Sequence, residues 1–564
     1  MTEPAALELV LLWHMHQPDY RDRATDQYVL PWTYLHGLKD YTDMADHLER
    51  HPTVRAVVNF VPILLDQLDD YAVQIARGKL RDPLLQLLAR PTFDGLTVAE
   101  CEFALQACFR SNHSHMLEPF APYRRLRDMY AQLTSSEAPA TYLSASYYAD
   151  LVTWYHLVWT GESVRRKHPW LVTLIEKGAG YLAADRLQIL QMIGRELGAL
   201  TARYRALAAR QQIEISTTPY AHPLAPLLLD FAAAREALPD LTLPQAANYP
   251  AGAARLARHC TLAKDTHAAR FDGAPRGVWP AEGAISAEVL QIFAQQDFVW
   301  AASGEAVLAN TLHKAGQTYI RDQHLYRPWR DASGITLVFR DDRISDLIGF
   351  EYSKWDASDA ARHLISELEA IRAAAPKGDT PLVCIALDGE NAWEYYPYNA
   401  FYFFEALYPL IAAHPHLRTT TIAQTLSSTS QAVRRWPLPR VCAGSWVYGT
   451  FTTWIGDPDK NRAWDLLCAA KVAYDLAAPT LAPATLARAE ELLCACEGSD
   501  WFWWLGDYNP ATSVASFEHL FRVNLSALFT CLGLAPPAAL AVPLSLGNTL
   551  SQEAGTMRRA SVSE

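Results

Sequence analysis

The chain is 564 residues long and half of its residues are hydrophobic, enough for one large domain and a second, smaller one. Lys and Arg total 49 against 61 Asp and Glu, a formal net charge of −12, which argues against nucleic acid or an anionic membrane as the main partner. A neutral substrate stays open.

Nine Cys are scattered along the chain. The closest pair, Cys494 and Cys496, is too tight for a zinc ribbon and lacks a matching second pair, so a reduced, cytoplasmic protein is expected. No Lys or Arg precedes Arg21, and the opening apolar run ends in His-Met-His, so it reads as a strand and not as an export leader. No run of about 18 apolar residues predicts a membrane span. The 17 Trp and 26 Tyr are informative because several Trp sit beside acidic or polar residues. Their flat amphipathic faces suit sugar rings, although buried Trp are ordinarily core.

In chain order, short apolar and β-branched runs recur between helical stretches. They are LELVLLWH (7–14), VRAVVNFVP (54–62), IEISTTPY (213–220), FVWAAS (298–303), ITLVFRD (335–341) and LVCIALDG (382–389). Near-continuous apolar strands separated by helices predict a parallel α/β sheet covered on both faces. Several of these runs end in His, Asn, Thr or Asp, and the carboxyl ends of the strands are where parallel barrels bind ligands. Residues from about 80 to 210 are Leu- and Ala-rich at helical spacing and read as a helical insertion within a catalytic region spanning 1–430. Helical periods return over 431–540, predicting a C-terminal helical domain that contributes aromatics to the cleft. Residues 541–564, which end in the polar SQEAGTMRRASVSE, read as a disordered tail.

The motifs that carry chemistry follow the same order. In WHMHQPDYRD (13–22), His14 and His16 lie two apart and share one face of a strand. A metal pair, a pair of hydrogen bonders to sugar hydroxyls, and a core histidine beside a turn histidine all fit that spacing. ISTTPYAHPLAPLL (215–228) places Tyr220 and His222 after a strand, where the plain reading is a turn with a helix cap. PRGVWPAEGAISAEVLQIF (275–293) puts Trp279 and Glu282 in a loop before a helix that starts near Ser286; a first-turn Glu on the helix dipole is the plain alternative.

VCIALDGENAWEYY (383–396) runs from a buried strand into Asp388, Gly389, Glu390 and Trp393, which is either a strand terminator or a reactive carboxylate. Next, AGSWVYGTFTTWIGDPDKNRAW (443–464) carries Trp446 and Trp454 among glycines, and EGSDWFWWLGDYN (497–509) crowds Trp and acids together. Glu282 and Asp388, each at a predicted strand end, are paired carboxylates of the sort glycosidase chemistry requires.

These motifs resemble glycoside hydrolase family 57. HMHQP (14–18), TTPYAHP (217–223), GVWPAEG (277–283), ALDGENAWE (386–394) and GSWVYGTFTTWIG (444–456) look like the family's regions, in order. FRDDRISDLIGFEY (339–352) and GSDWFWWLGDYN (498–509) look like its amylase and amylopullulanase branch. Ala221, Tyr448 and Thr450 depart from the expected pattern. The resemblance implies a distorted (β/α)7 barrel and a retaining mechanism on α-glucans, α-1,4 and also α-1,6 linkages being within its range. It puts the nucleophile on Glu282 and the acid/base on Asp388. It further implies substrate contacts from His14, His16, Gln17, His222, Trp279, Glu390, Trp393, Trp446, Trp454, Trp504 and Asp507. No metal or cofactor is implied; the partner is an α-glucan or maltooligosaccharide. The rivals are a 4-α-glucanotransferase or branching enzyme using the same carboxylates, a metal-dependent deacetylase with His14, His16 and an Asp as ligands, and a glucan-binding protein without turnover.

Overall fold

The computed structural model describes residues 6–133, 139–376, 378–427 and 435–548. Seven parallel strands make the central sheet: β1 (Leu7–Met15), β2 (Ala56–Phe60), β3 (Ile213–Thr217), β4 (Gly277–Val278), β5 (Trp300–Gly304), β6 (Thr336–Arg340) and β7 (Leu382–Asp388). Neighbours run β7-β1-β2-β3-β4-β5-β6, and Cys384 of β7 lies opposite Arg340 of β6, which closes the ring. The strands are almost wholly buried because helices cover the outside and side chains fill the inside. The α/β barrel expected from the sequence is the fold observed.

Six of the strands match the apolar runs identified in the sequence, β1 and β5 each extending one residue beyond. The seventh, β4, is two residues long, too short for any periodicity to show. Its Gly277 is required by packing, since a Cβ there would lie 1.9 Å from the Trp300 ring. A further strand, β8 (Leu417–Thr420), pairs parallel with Leu7–Val10 of β1. Its LRTT sequence has three polar residues in four and gave no strand signal. β2 takes over β1's same edge at Leu12–Met15, while β7 occupies the other edge from Glu8 to His14. β1 is thus flanked along nearly its whole length.

That pairing fixes a register with consequences for the site. His14 is level with Asp388 of β7 and with Asn59 of β2, and Asn59 is level with Ser216 of β3. Parallel strands in register carry one row of side chains at one height, here the carboxyl-terminal rim of the barrel.

The span between β2 and β3 is helical, including Val98–Cys108, Ala145–Val158 and Ala183–Ala209. Thr97 and Glu100 form a reciprocal capping box that starts the first of these. Beyond the barrel lie the helices Pro458–Ala477, Pro483–Cys496 and Ala511–Cys531. Residues 541–548, expected at the start of a disordered tail, instead pack: Leu544 is buried, and Asn548 exchanges backbone bonds with Asn509 and Ala511. Residues 549–564 of that call lie outside the described residues. No described helix is long and apolar enough to cross a membrane.

One buried ion cluster fastens the C-terminal helices to the barrel's outer helices. Glu497 accepts from Arg255 through both carboxylate oxygens at 2.7 Å, from His259 Nε2 at 2.7 Å and from the Tyr249 hydroxyl at 2.5 Å. Burial pushes the Glu497 carboxyl up, but Arg255 and His259 outweigh it and hold the group well below the usual range. Removing one partner of a buried pair leaves the other charge uncompensated. Glu497→Leu is therefore expected to destabilise the protein by about 3–5 kcal/mol, read from the urea midpoint at pH 7. Because the folded-state pKa is depressed, this contribution is present above the ordinary Glu value of 4.5 and is lost on acidification. The gap between wild type and variant should accordingly narrow below that pH.

Candidate active site

At the carboxyl-terminal rim the barrel opens into a cavity of about 650 Å³. Its floor is formed by the strand ends. One wall comes from the helical insertion, at Phe109–His115 and Trp159, and the other from the C-terminal helices, at Trp503, Trp504 and Phe517. Of the residues expected to meet substrate, His14, His16, Gln17, His222, Glu282, Asp388, Glu390, Trp446 and Trp504 all line this one cavity.

The in-register row orders the histidines. Asn59 Oδ1 accepts from the Thr218 hydroxyl at 2.9 Å, and the Asn59 amide donates to Ser216 at 3.0 Å, so Oδ1 is also the acceptor for His14 Nδ1 at 2.7 Å. His14 then carries its proton on Nδ1 and turns an Nε2 lone pair toward His222 Nε2, 3.3 Å away. Burial, and then the His16 charge, lower the His14 pKa to about 3, and His222 is likewise driven well below its usual value. Both rings are neutral.

The row continues to a carboxyl. His222 Nδ1 lies 2.8 Å from Ser499 Oγ, and Ser499 Oγ lies 3.3 Å from Glu282 Oε1. Neutral rings allow one fully satisfied proton order: Glu282 O–H to Ser499, Ser499 to His222 Nδ1, His222 Nε2–H to His14, and His14 Nδ1–H to Asn59. Ionising Glu282 reverses Ser499 and leaves two imidazole lone pairs facing each other. Burial is the largest cause raising Glu282, to about 8, followed by the charges of Asp500 and Asp388; bonds from Trp446 and Ser499 oppose the rise.

Glu282 sits on the three-residue turn Ala281–Gly283 with φ 60° and ψ 23°, a left-handed conformation that costs a non-glycine residue strain. Trp446 holds it there. The Trp446 backbone N–H donates to the Glu282 carbonyl at 3.0 Å, and its indole N–H donates to Glu282 Oε2 at 3.1 Å. Gly304 lets this segment approach, for a Cβ there would lie 2.7 Å from Trp446 Cα.

Asp388 ends β7, and its Oδ2 accepts from Asn391 at 2.9 Å. Burial raises its pKa. Gly389 must follow, because a Cβ there would lie 2.0 Å from Met15 Sδ; its carbonyl accepts the Trp393 indole N–H at 2.9 Å. Glu390 is buried and its pKa is raised by burial, then by Asp388. Its Oε1 accepts from Gln17 at 3.3 Å, while Oε2 has no partner. The His16 ring stacks on His222 at 3.7 Å between centroids, and its Nε2 lies 2.9 Å from Asp500 Oδ1. His16 Nδ1 and Asp500 Oδ2 are buried without partners.

Four expected contacts are placed elsewhere. Trp279 is buried behind Trp446, edge-on at 5.1 Å. Trp393 packs against Trp13 and Phe404 and braces the Asp388 turn. Trp454 is buried against Trp503. Each is sealed from the cavity by the residues it supports. Asp507 is exposed, and it is Asp500, seven positions earlier in the same motif, that enters the cavity. Glu497, Asp500 and Asp507 cannot be ranked by composition or spacing; their separate fates as anchor, site residue and surface residue depend on the turn at Gly498, which bridges to Pro223. Ser499, Arg340 and Asn391 were also missed, being ordinary residue types inside or beside the motifs.

Among the described residues, two groups have donor sets of metal-ligand type. His16, His222 and Asp500 place ligand atoms within 4.8 Å of one another, as do His259, Cys494 and Glu497. Arg255 already occupies the second. His14 is not in either set; its Nδ1 is held by Asn59.

Fold and site together define an α/β-barrel protein whose cleft combines paired carboxyl groups with histidines and indoles. Residues 10–435 match glycosyl hydrolase family 57, and the chain belongs to that family. No curated protein matches it by sequence. Among solved structures it is similar to a family 57 branching enzyme from Thermococcus kodakaraensis, with TM-score 0.57 and 13% identity over 93% of this chain and 90% of that one. It is also similar to the α-amylase AmyC of Thermotoga maritima, with TM-score 0.55 and 13% identity over 94% and 93% of the two chains. A 4-α-glucanotransferase from Thermococcus litoralis gives TM-score 0.51 at 13% identity, over 93% of this chain and 60% of that one. At such identities the likeness establishes the fold.

The raised Glu282 carboxyl has a consequence for stability. It resists ionisation in the folded state, so the stability it contributes is present below its ordinary value of 4.5 and is lost as the pH rises through about 8. Glu282→Gln is expected to stabilise the protein more at pH 9 than at pH 5, each pKa unit removed being worth about 1.4 kcal/mol. Thermal melts of both proteins across that range are the measurement.

Proposed function

We propose that this protein is a retaining α-glucan hydrolase of α-amylase or amylopullulanase type. The observation that carries the reading is the placement of Glu282 and Asp388 in one cavity with different surroundings. Glu282 accepts the fixed indole N–H of Trp446, which favours its charged form, and Ser499 turns to donate to it once it is ionised; Asp388 lies at a buried strand end with one amide donor. With Asp388 protonated, one of the charges that raise Glu282 is gone, and the two donors then hold a carboxylate nucleophile.

In the first step a Glu282 oxygen attacks the anomeric carbon and the bond to the glycosidic oxygen breaks, that oxygen taking the Asp388 proton. In the second, water attacks the glycosyl ester, gives its proton to Asp388 and frees Glu282. The partnerless atoms of His16, Asp500 and Glu390 suit sugar hydroxyls, each of which both donates and accepts. A cytoplasmic location is proposed with it, on the nine free cysteines.

Glucan transfer is the second reading. It is favoured by the aromatic walls, which suit a sugar acceptor as well as water, and by the full-length likeness to the branching-enzyme fold. The same ester then passes to a glucan hydroxyl.

Glu282→Gln and Asp388→Asn are each expected to lower turnover of amylose by at least about 10²–10⁴-fold with the fold intact by circular dichroism. Near-normal activity in either variant rejects the assignment. Maltoheptaose separates the readings: shorter products with rising reducing ends support hydrolysis, whereas longer or branched products without that rise support transfer.

A further inference from the structure

Arg110 lies just beyond the helix Val98–Cys108 of the insertion and lines the cavity. Its Nη2 donates to Ser513 Oγ on Ala511–Cys531 at 3.0 Å, across the cleft, and its guanidinium sits 5.4 Å from the Trp32 ring centroid. The Ser513 bond is the side chain's one hydrogen bond among the described residues.

Burial pushes the pKa of Arg110 down; the groups pushing the other way are the phenols of Tyr155 and Tyr20, with no carboxylate among them. Arg110 is half-buried, whereas the buried Arg255 and Arg340 have carboxylate partners, Glu490 and Glu497 for the first and Asp342 and Asp346 for the second. A desolvated cation without a counter-charge costs stability. A guanidinium has five N–H donors in a fixed fork, so one bond to Ser513 and one face on Trp32 leave an edge unused. That edge is not sealed in protein, since Arg110 has no nitrogen among the buried unsatisfied atoms and the residue faces the cavity. Half-buried Trp32 gives the aromatic surface beside the donors, and buried Trp159, 5.6 Å from it, backs that ring.

We propose that Arg110, with Trp32 backed by the buried Trp159, forms a sugar subsite of the cleft apart from the bond-breaking carboxyls. Its unused N–H groups donate to hydroxyls of a glucosyl unit that packs on the indole wall. The proposal rests on the α-glucan reading and deepens it: the cleft recognises a chain of several units, and Arg110 reads one that is not being cleaved. Hydrogen bonds from a charged donor are stronger than neutral ones, so one residue suffices to favour longer chains.

Calorimetric titration of the Glu282→Gln protein with maltotriose and maltoheptaose, with and without Arg110→Gln, tests this. The added substitution is expected to weaken maltoheptaose binding about tenfold while changing maltotriose binding less than about twofold. Arg110→Lys, which keeps the charge and loses the fork, should recover part of the affinity. Ser513→Ala breaks the cross-cleft bond but leaves the guanidinium, and should keep the preference for the longer chain. Equal losses on both sugars, no loss on either, or a Ser513→Ala defect equal to that of Arg110→Gln would overturn the proposal. So would competition by inorganic phosphate that disappears in Arg110→Gln, which would make this an anion site. Failure of the Glu282→Gln protein to bind either sugar contradicts the α-glucan reading itself, a result distinct from all of these.

Discussion

The site depends on one row of side chains at one height across four neighbouring strands. Asp388, His14, Asn59 and Ser216 are register partners of β7, β1, β2 and β3, so the backbone ladder itself sets how a carboxyl and a histidine meet at the rim. A slip of one residue in any of these strands would turn its member of the row to the other face of the sheet. β1 is protected against that slip by the strands along both its edges, β7 on one and β8 followed by β2 on the other. The tautomers of His14 and His222 follow from Asn59, whose carbonyl can only accept. A purely structural amide thereby reaches Glu282 through Ser499.

The rest of the cleft is brought by segments distant in sequence. Trp446 clasps the strained Glu282 turn through backbone and indole together, and the glycines opposite it exist to allow that approach. Ser499 and Asp500 come from the C-terminal helices, directly after the Glu497 cluster that binds those helices to Arg255 and His259. Stability and chemistry are adjacent in the chain here: Glu497 is fully paired and charged, whereas Asp500, three residues on, is left with a partnerless oxygen. Buried polar groups without a protein partner cost free energy unless water or a ligand supplies the missing hydrogen bond.

What could be read from the sequence follows from which signals are local. β1, β2, β3, β5, β6 and β7 announce themselves through continuous apolar runs, Asp388 through a carboxyl placed after such a strand, and Glu282 through its place beside Trp279 in a loop before a helix. β4 is too short for periodicity, and β8 is mostly polar. The aromatics were the harder case. Trp279, Trp393 and Trp454 carry the same residue type in the same kind of motif as Trp446 and Trp504, yet they pack behind the cavity wall while the latter two face the cavity. Nothing in a motif tells a side chain that lines a cleft from one that braces it. Asp500 and Arg110 were invisible for a further reason: each acquires its meaning from a contact across hundreds of residues, His16 for the first and Ser513 for the second.

The central claim is that Glu282 is the group that takes the sugar. A fluorinated α-glucosyl fluoride, which slows release of a covalent glycosyl ester, allows that ester to be located by peptide mass spectrometry. The account predicts a glycosyl adduct on the peptide containing Glu282, absent when the same labelling is done on Glu282→Gln. An adduct on Asp388 or Asp500 instead, or turnover of the reagent with no adduct on any carboxyl group, would contradict it.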